Sequence, residues 1–134
     1  MKTPQNYIPH TGEKYMSLRQ QKYFHEVFRK MLFSISASSE KTIDSLKDEI
    51  SVIPDENDRA SKEAEFTLEL RERERKSRLE QKINYVLKKI ENKSFGYCEL
   101  CNNKIGIERL LARPVAVLCF DCKNLQELQE KIHT

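Results

Sequence analysis

The stretch KDEISVIPDENDRA, Lys47 to Ala60, holds the one helix breaker in a long helix-forming run. Pro54, near its centre, is the only glycine or proline between Gly12 and Gly96. Proline lacks an amide donor and clashes with the preceding turn, so a helix ends ahead of it. Both flanks are rich in Lys, Glu, Arg, Gln and Leu, which are good helix formers. The sequence therefore predicts two long helices, from about Ser17 to Val52 and from about Arg59 to Asn92, with a turn at Pro54.

Apolar spacing tests whether those helices pair. Phe24, Phe28, Met31 and Ile35 recur every three or four residues, as do Ile43, Leu46, Ile50 and Ile53 further along. Phe66 and Leu70, then Leu79, Ile83, Val86, Leu87 and Ile90, form a matching stripe on the second helix. Such steps mark a coiled-coil seam. In an antiparallel hairpin, facing residues keep a nearly constant index sum. Phe24 with Ile90, Phe28 with Leu87, Met31 with Ile83, Ile35 with Leu79 and Ile50 with Phe66 all meet that condition. The stripe weakens in the middle, where Ser36 to Ser39 would face Arg73 to Ser77. Small residues there permit close approach, with arginine and lysine stems covering the seam. RERERKSR equally suits a solvated face laced with ion pairs between neighbouring turns. At ~1.5 Å per residue the hairpin would be a rod roughly 50 Å long.

The chain has 134 residues, 34% of them charged, and a mean hydropathy of -0.72. That balance leaves little for a large globular core and suits an all-α protein with a thin apolar seam. The formal charge of +3 is too small to argue for nucleic-acid binding. No apolar run approaches membrane-spanning length, and MKTPQNYIPHTGEKYM at the N-terminus has no apolar signal core. The expectation is a cytoplasmic protein, in which paired cysteines bind metal rather than form disulfides.

Cys98-x2-Cys101 and Cys119-x2-Cys122, separated by seventeen residues, are such pairs. Each can present two thiolates from a tight turn, and together they complete a tetrahedron around one structural zinc ion. Gly96 and Gly106 flank the first pair and supply backbone freedom. Lys104, Arg109, Arg113 and Lys123 are placed to offset the negative charge of a four-thiolate zinc. Four protein ligands leave no open position for catalytic water. The competing reading of the four cysteines is two disulfides. His10, His25 and His133 have no partner ligand at useful spacing and receive no role. The domain reading is an N-terminal segment packed on the base (1–16), a coiled coil with its tip at about 53–60 (17–92), and a zinc module with a C-terminal helix (93–134).

Carboxylates crowd the Pro54 turn, whereas the cysteine end is rich in lysine and arginine, so the hairpin is electrically polarised. Asp55 or Asp58 can cap the second helix, where the dipole favours acids. Surplus acids could instead reach a magnesium ion or a basic cavity. The residues alone leave both readings open.

PDENDRA at the turn, EAEFTLELRERERK after it, and FGYCELCNNKIGIERLLARPVAVLCFDCK around the cysteines resemble the DksA/TraR C4-type zinc-finger family of bacterial transcription factors. The resemblance runs from about Gly12 to the C-terminus and suggests an N-terminus shorter than the family's usual one. It implies a monomeric, non-enzymatic regulator that inserts its coiled-coil tip into the secondary channel of RNA polymerase. It further implies destabilised promoter complexes, repressed ribosomal RNA promoters and activated amino-acid biosynthesis promoters in the stringent response, without sequence-specific DNA binding. By resemblance, Asp55, Asp58 and Ala60 form the tip motif and Arg75 contacts the polymerase rim. Leu79, Lys82, Arg113 and Lys123 match positions that bind guanosine tetraphosphate (ppGpp) at the polymerase interface. Several cations suit a ligand with two diphosphates, and the match requires the zinc module to dock against the hairpin. Two other readings compete. A DNA-binding zinc module dimerised by its hairpin lacks the continuous basic face that phosphate binding requires. A metal-dependent hydrolase at the tip lacks a nucleophile and a water-excluding pocket.

Overall fold

The computed structural model describes residues 6–37 and 41–133. The regular elements of the described chain are all helices, and its one β pairing is the bridge between Tyr97 and Lys104. Five helices follow in order: α1 (Leu18–Ala37), α2 (Ile43–Ser51), α3 (Glu56–Glu91), α4 (Ile107–Ala112) and α5 (Phe120–Ile132). The fold is an antiparallel helical hairpin joined to a small C4 module that ends in a helix.

The first arm of the hairpin differs from the sequence reading. A single helix from Ser17 to Val52 is expected, but α1 ends at Ala37 and α2 begins at Ile43. Thr42 is extended (ψ 157°), and its hydroxyl accepts a hydrogen bond from the amide of Ser45 at 3.1 Å. A threonine that caps a new helix cannot lie inside an old one, because its side chain satisfies an amide that a preceding turn would otherwise hold. Ser38 and Ser39, and with them part of the expected packing against Arg73 to Ser77, lie outside the described residues. The second arm starts a turn earlier than expected. The Asp55 carboxylate accepts from the Asn57 amide at 3.2 Å, and its carbonyl accepts from Arg59 at 2.9 Å. Glu56 and Asp58 in the first turn and Lys88 and Lys89 in the last complement the helix dipole.

The chain forms two compact units. Residues 1–30 and 82–134 make up the first, where Phe24 and Phe28 of α1, Ile83 and Val86 of α3, and Phe95 and Leu110 of the zinc module are buried together. Phe95 packs its ring on Phe24 (centroids 5.4 Å apart) and edge-on to Phe28 (5.6 Å), joining module to hairpin. The N-terminal segment is tied to the module by Tyr15. Its hydroxyl donates to the Gly96 carbonyl at 2.5 Å and accepts from the Gly106 amide at 3.1 Å. Gly96 is required there: its φ is +94°, and a Cβ would lie 2.9 Å from Met16.

Residues 31–81 form the second unit. Leu46, Ile50, Ile53 and Phe66 line one shallow groove between α2 and α3, but no described residue of this unit is fully buried. Arg73 bonds Glu69 at 3.0 Å and also reaches the carbonyl of Lys41. An arginine stem thus covers part of the thin seam.

Candidate functional site

The zinc centre is built from two kinds of turn. Cys98 and Cys101 sit in a knuckle: the Cys98 amide donates to the Asn103 carbonyl at 2.8 Å, and the Asn102 amide donates back to Cys98 at 3.0 Å. Asn102 closes the turn with a left-handed backbone (φ 63°), a conformation asparagine tolerates well. The second pair uses a helix start. Cys119 is the N-cap of α5, and its sulfur accepts from the Cys122 amide at 3.5 Å. The positive end of a helix dipole favours thiolate there.

All four sulfurs lie within 4.8 Å of one another. Cys101 and Cys119 are 3.7 Å apart, close to the ~3.8 Å edge of a tetrahedron with ~2.3 Å zinc–sulfur bonds. The thiols are free, so the disulfide reading falls. Burial pushes the Cys98 thiol up, but amide hydrogen bonds from Cys119, Cys101 and Leu100 outweigh it and bring its pKa down to about 6. Cys122 is pushed up to about 12 by the neighbouring sulfurs of Cys119 and Cys98. Four thiolates this close cannot all ionise unaided, and a divalent cation reverses that balance. The donor set therefore fits one structural zinc ion.

Beside the knuckle lies a groove of about 540 Å³. Lys82 and Tyr85 of α3, Arg109 of α4, Arg113, Lys123 of α5 and the apolar run Val115 to Leu118 line it. Three of the four residues expected by resemblance to meet an anion, Lys82, Arg113 and Lys123, are brought together here. Leu79 lies a turn earlier on α3, in the other unit. Lys123 donates to Gln126 at 3.2 Å, and Arg109 donates to the Leu118 carbonyl at 3.0 Å. Arg109 thereby holds the far wall of the groove.

Glu99, between the first two cysteines, is a groove residue that sequence reasoning passed over. Its carboxylate meets Lys89 at 2.8 Å and accepts the hydroxyl of Tyr85, both on α3. The Lys89 ammonium and the Tyr85 hydroxyl hold that carboxylate below the ordinary value of 4.5. Its amide donates to Val117 at 2.9 Å. A carboxylate between two zinc ligands was the signal available in the sequence.

At the hairpin turn Asp55, Asp58 and Ala60 are all exposed. Arg59 between them points inward, with both Nε (3.2 Å) and a terminal nitrogen (2.7 Å) donating to the Ile53 carbonyl. This single basic residue in an acidic stretch clamps the turn, a role its spacing did not suggest. Arg75 is exposed and paired with Glu72 at 2.6 Å. Among the described residues no helix is long and apolar enough to cross a membrane.

Comparison with known proteins follows these features along the chain. The N-terminal domain of the DnaK suppressor protein DksA matches residues 20–90, and the prokaryotic dksA/traR C4-type zinc finger matches residues 93–128. The chain belongs to the DksA family. The RNA polymerase-binding transcription factor DksA of Escherichia coli K12 is 45% identical over 120 residues, covering 90% of this chain and 80% of that protein. DksA of Haemophilus influenzae is 44% identical over 119 residues, covering 89% and 82%. The structure of transcription factor DksA2 from Pseudomonas aeruginosa superposes with a TM-score of 0.75 at 32% identity, covering 92% of this chain and 93% of that one. DksA proteins are transcription factors rather than enzymes, and the C4 match assigns Cys98, Cys101, Cys119 and Cys122 to zinc.

Proposed function

We propose that this chain binds RNA polymerase directly, as a cytoplasmic monomer, and regulates transcription together with ppGpp. The tip carrying Asp55, Asp58 and Ala60 enters the secondary channel and destabilises promoter complexes, while Arg75 contacts the channel rim. Ribosomal RNA promoters are repressed and some amino-acid biosynthesis promoters activated, as the stringent response requires. The nucleotide binds at the polymerase interface through Leu79, Lys82, Arg113 and Lys123.

One observation carries this reading. In a chain whose relatives are named RNA polymerase-binding transcription factors, Lys82, Arg113 and Lys123 come from three separate segments to line one groove. Cations that line one groove suit a polyanion, and a ligand with two diphosphates offers charge-assisted hydrogen bonds to each. Exposed acids at the other turn suit a hard cation or a basic cavity. The net charge of +3 counts against the DNA-binding alternative, which needs a continuous basic face.

The test is transcription from a ribosomal RNA promoter with purified polymerase, with and without ppGpp. The wild-type chain should inhibit, and ppGpp should deepen the inhibition. Asp58→Asn should keep polymerase binding and lose inhibition, whereas Lys82→Ala should keep inhibition and lose most of the ppGpp increment. Full inhibition by Asp58→Asn, or an undiminished ppGpp response in Lys82→Ala, overturns the corresponding assignment.

A further inference from the structure

We propose that Glu99 is a positioning residue that latches the zinc knuckle to α3 and so sets the geometry of the basic groove. The inference rests on the nucleotide role proposed for that groove. A carboxylate is an unexpected lining for a polyanion site, because by Coulomb's law alone it repels the ligand. Glu99 nevertheless lies on that wall. Its surroundings explain the choice. The carboxylate bonds Lys89, whose side chain is only 15% exposed, at 2.8 Å, and it accepts the Tyr85 hydroxyl. Lys89 also lies 5.6 Å from the Tyr85 ring centroid, so acid, cation and phenol form one closed cluster.

The cluster joins two parts of the groove, the α3 wall and the knuckle, through side chains. Tyr85 is one turn beyond Lys82 on α3. Glu99 belongs to the knuckle, and its amide is bonded to Val117, on the segment leading from Arg113 to α5. Holding Glu99 on Tyr85 and Lys89 therefore sets the spacing between Lys82 on one wall and Arg113 and Lys123 on the other. Charge-assisted bonds made by several cations at once depend steeply on that spacing.

The two possible roles of Glu99 predict opposite signs. If its charge merely opposes the ligand, Glu99→Ala strengthens the ppGpp response. If it positions the groove, Glu99→Ala raises the ppGpp concentration for half-maximal effect by about tenfold or more, the scale of a lost charge-assisted hydrogen bond. Lys89→Ala should do the same from the α3 side, and Tyr85→Phe should do so more weakly. The exchange Glu99→Lys with Lys89→Glu should recover part of the loss. Inhibition without ppGpp and zinc stoichiometry by mass spectrometry should stay at wild-type level, which separates a displaced groove from an unfolded knuckle. Hydrogen exchange across residues 113–118 should quicken in each single variant, and this reads the latch without the nucleotide.

A ppGpp response unchanged or strengthened in Glu99→Ala and Lys89→Ala, beside a weakened one in Lys82→Ala, overturns the latch. If Lys82→Ala itself responds normally, the proposed nucleotide site is at fault. The latch then stands on quickened exchange in the single variants and falls on unchanged exchange.

Discussion

Cys119 serves two functions at once, as helix cap and as metal ligand. Its sulfur accepts the Cys122 amide that opens α5, and it stands 3.7 Å from Cys101. Cys119→Ser keeps a capping oxygen but removes a soft ligand that zinc favours. The expected outcome is loss of stoichiometric zinc by mass spectrometry, with the helical content of α1 and α3 largely retained by circular dichroism. Spacing alone pointed to all four cysteines, because ligand chemistry is local to each x2 pair. The partners of Glu99 were not legible in the same way. Tyr85 and Lys89 precede it by more than two helical turns, and nothing in the sequence specifies where the knuckle comes to rest.

Among the elements, the turn between α2 and α3 is held by a side chain rather than by proline alone. Pro54 ends α2, but Arg59 reaches back from the first turn of α3 to grip the Ile53 carbonyl through two donors. Arg59→Ala should cost about 1–2 kcal/mol of local turn stability and quicken amide exchange over residues 53–57. Polymerase affinity should change little, while inhibition in the transcription assay falls, because Asp55 and Asp58 lose a fixed backbone. Undiminished inhibition with quickened exchange would detach tip geometry from function. The break between α1 and α2 illustrates the opposite difficulty. Helix-forming composition favoured one continuous helix, whereas Thr42 with Asp44 in the following turn already carried a start signal. A local cap overrode the average propensity of the window, which is worth only tenths of a kcal/mol per residue.

At the scale of the molecule, the fully buried core among the described residues is small and lies in the unit that carries the zinc ligands. Phe95 is 3% exposed and packs against both Phe24 and Phe28. Phe95→Ala should destabilise that unit by about 3–5 kcal/mol, read as a lower midpoint in denaturant with zinc present. A shift below about 1 kcal/mol would mean that the metal, not the aromatic cluster, holds the module to the hairpin. The described residues from Met31 to Gln81 have only a half-buried seam, so their stability rests on helix propensity, caps and partial burial.

Amino-acid order alone carried the helical class, the turn at Pro54, the antiparallel pairing of apolar stripes and the four zinc ligands. Each depends on spacing within a few turns or on a period repeated many times, and such patterns survive without knowledge of distant contacts. Which cations share a wall, where Glu99 is anchored and how Arg59 closes the turn depended on side chains meeting after the chain had folded. The groove facing Lys82 draws Glu99 from within the first cysteine pair and Arg109, Arg113 and Lys123 from beyond it. The packing of Phe95 on Phe24 and Phe28 joins that module to the hairpin, and the folded unit lines one groove with Lys82, Arg113 and Lys123.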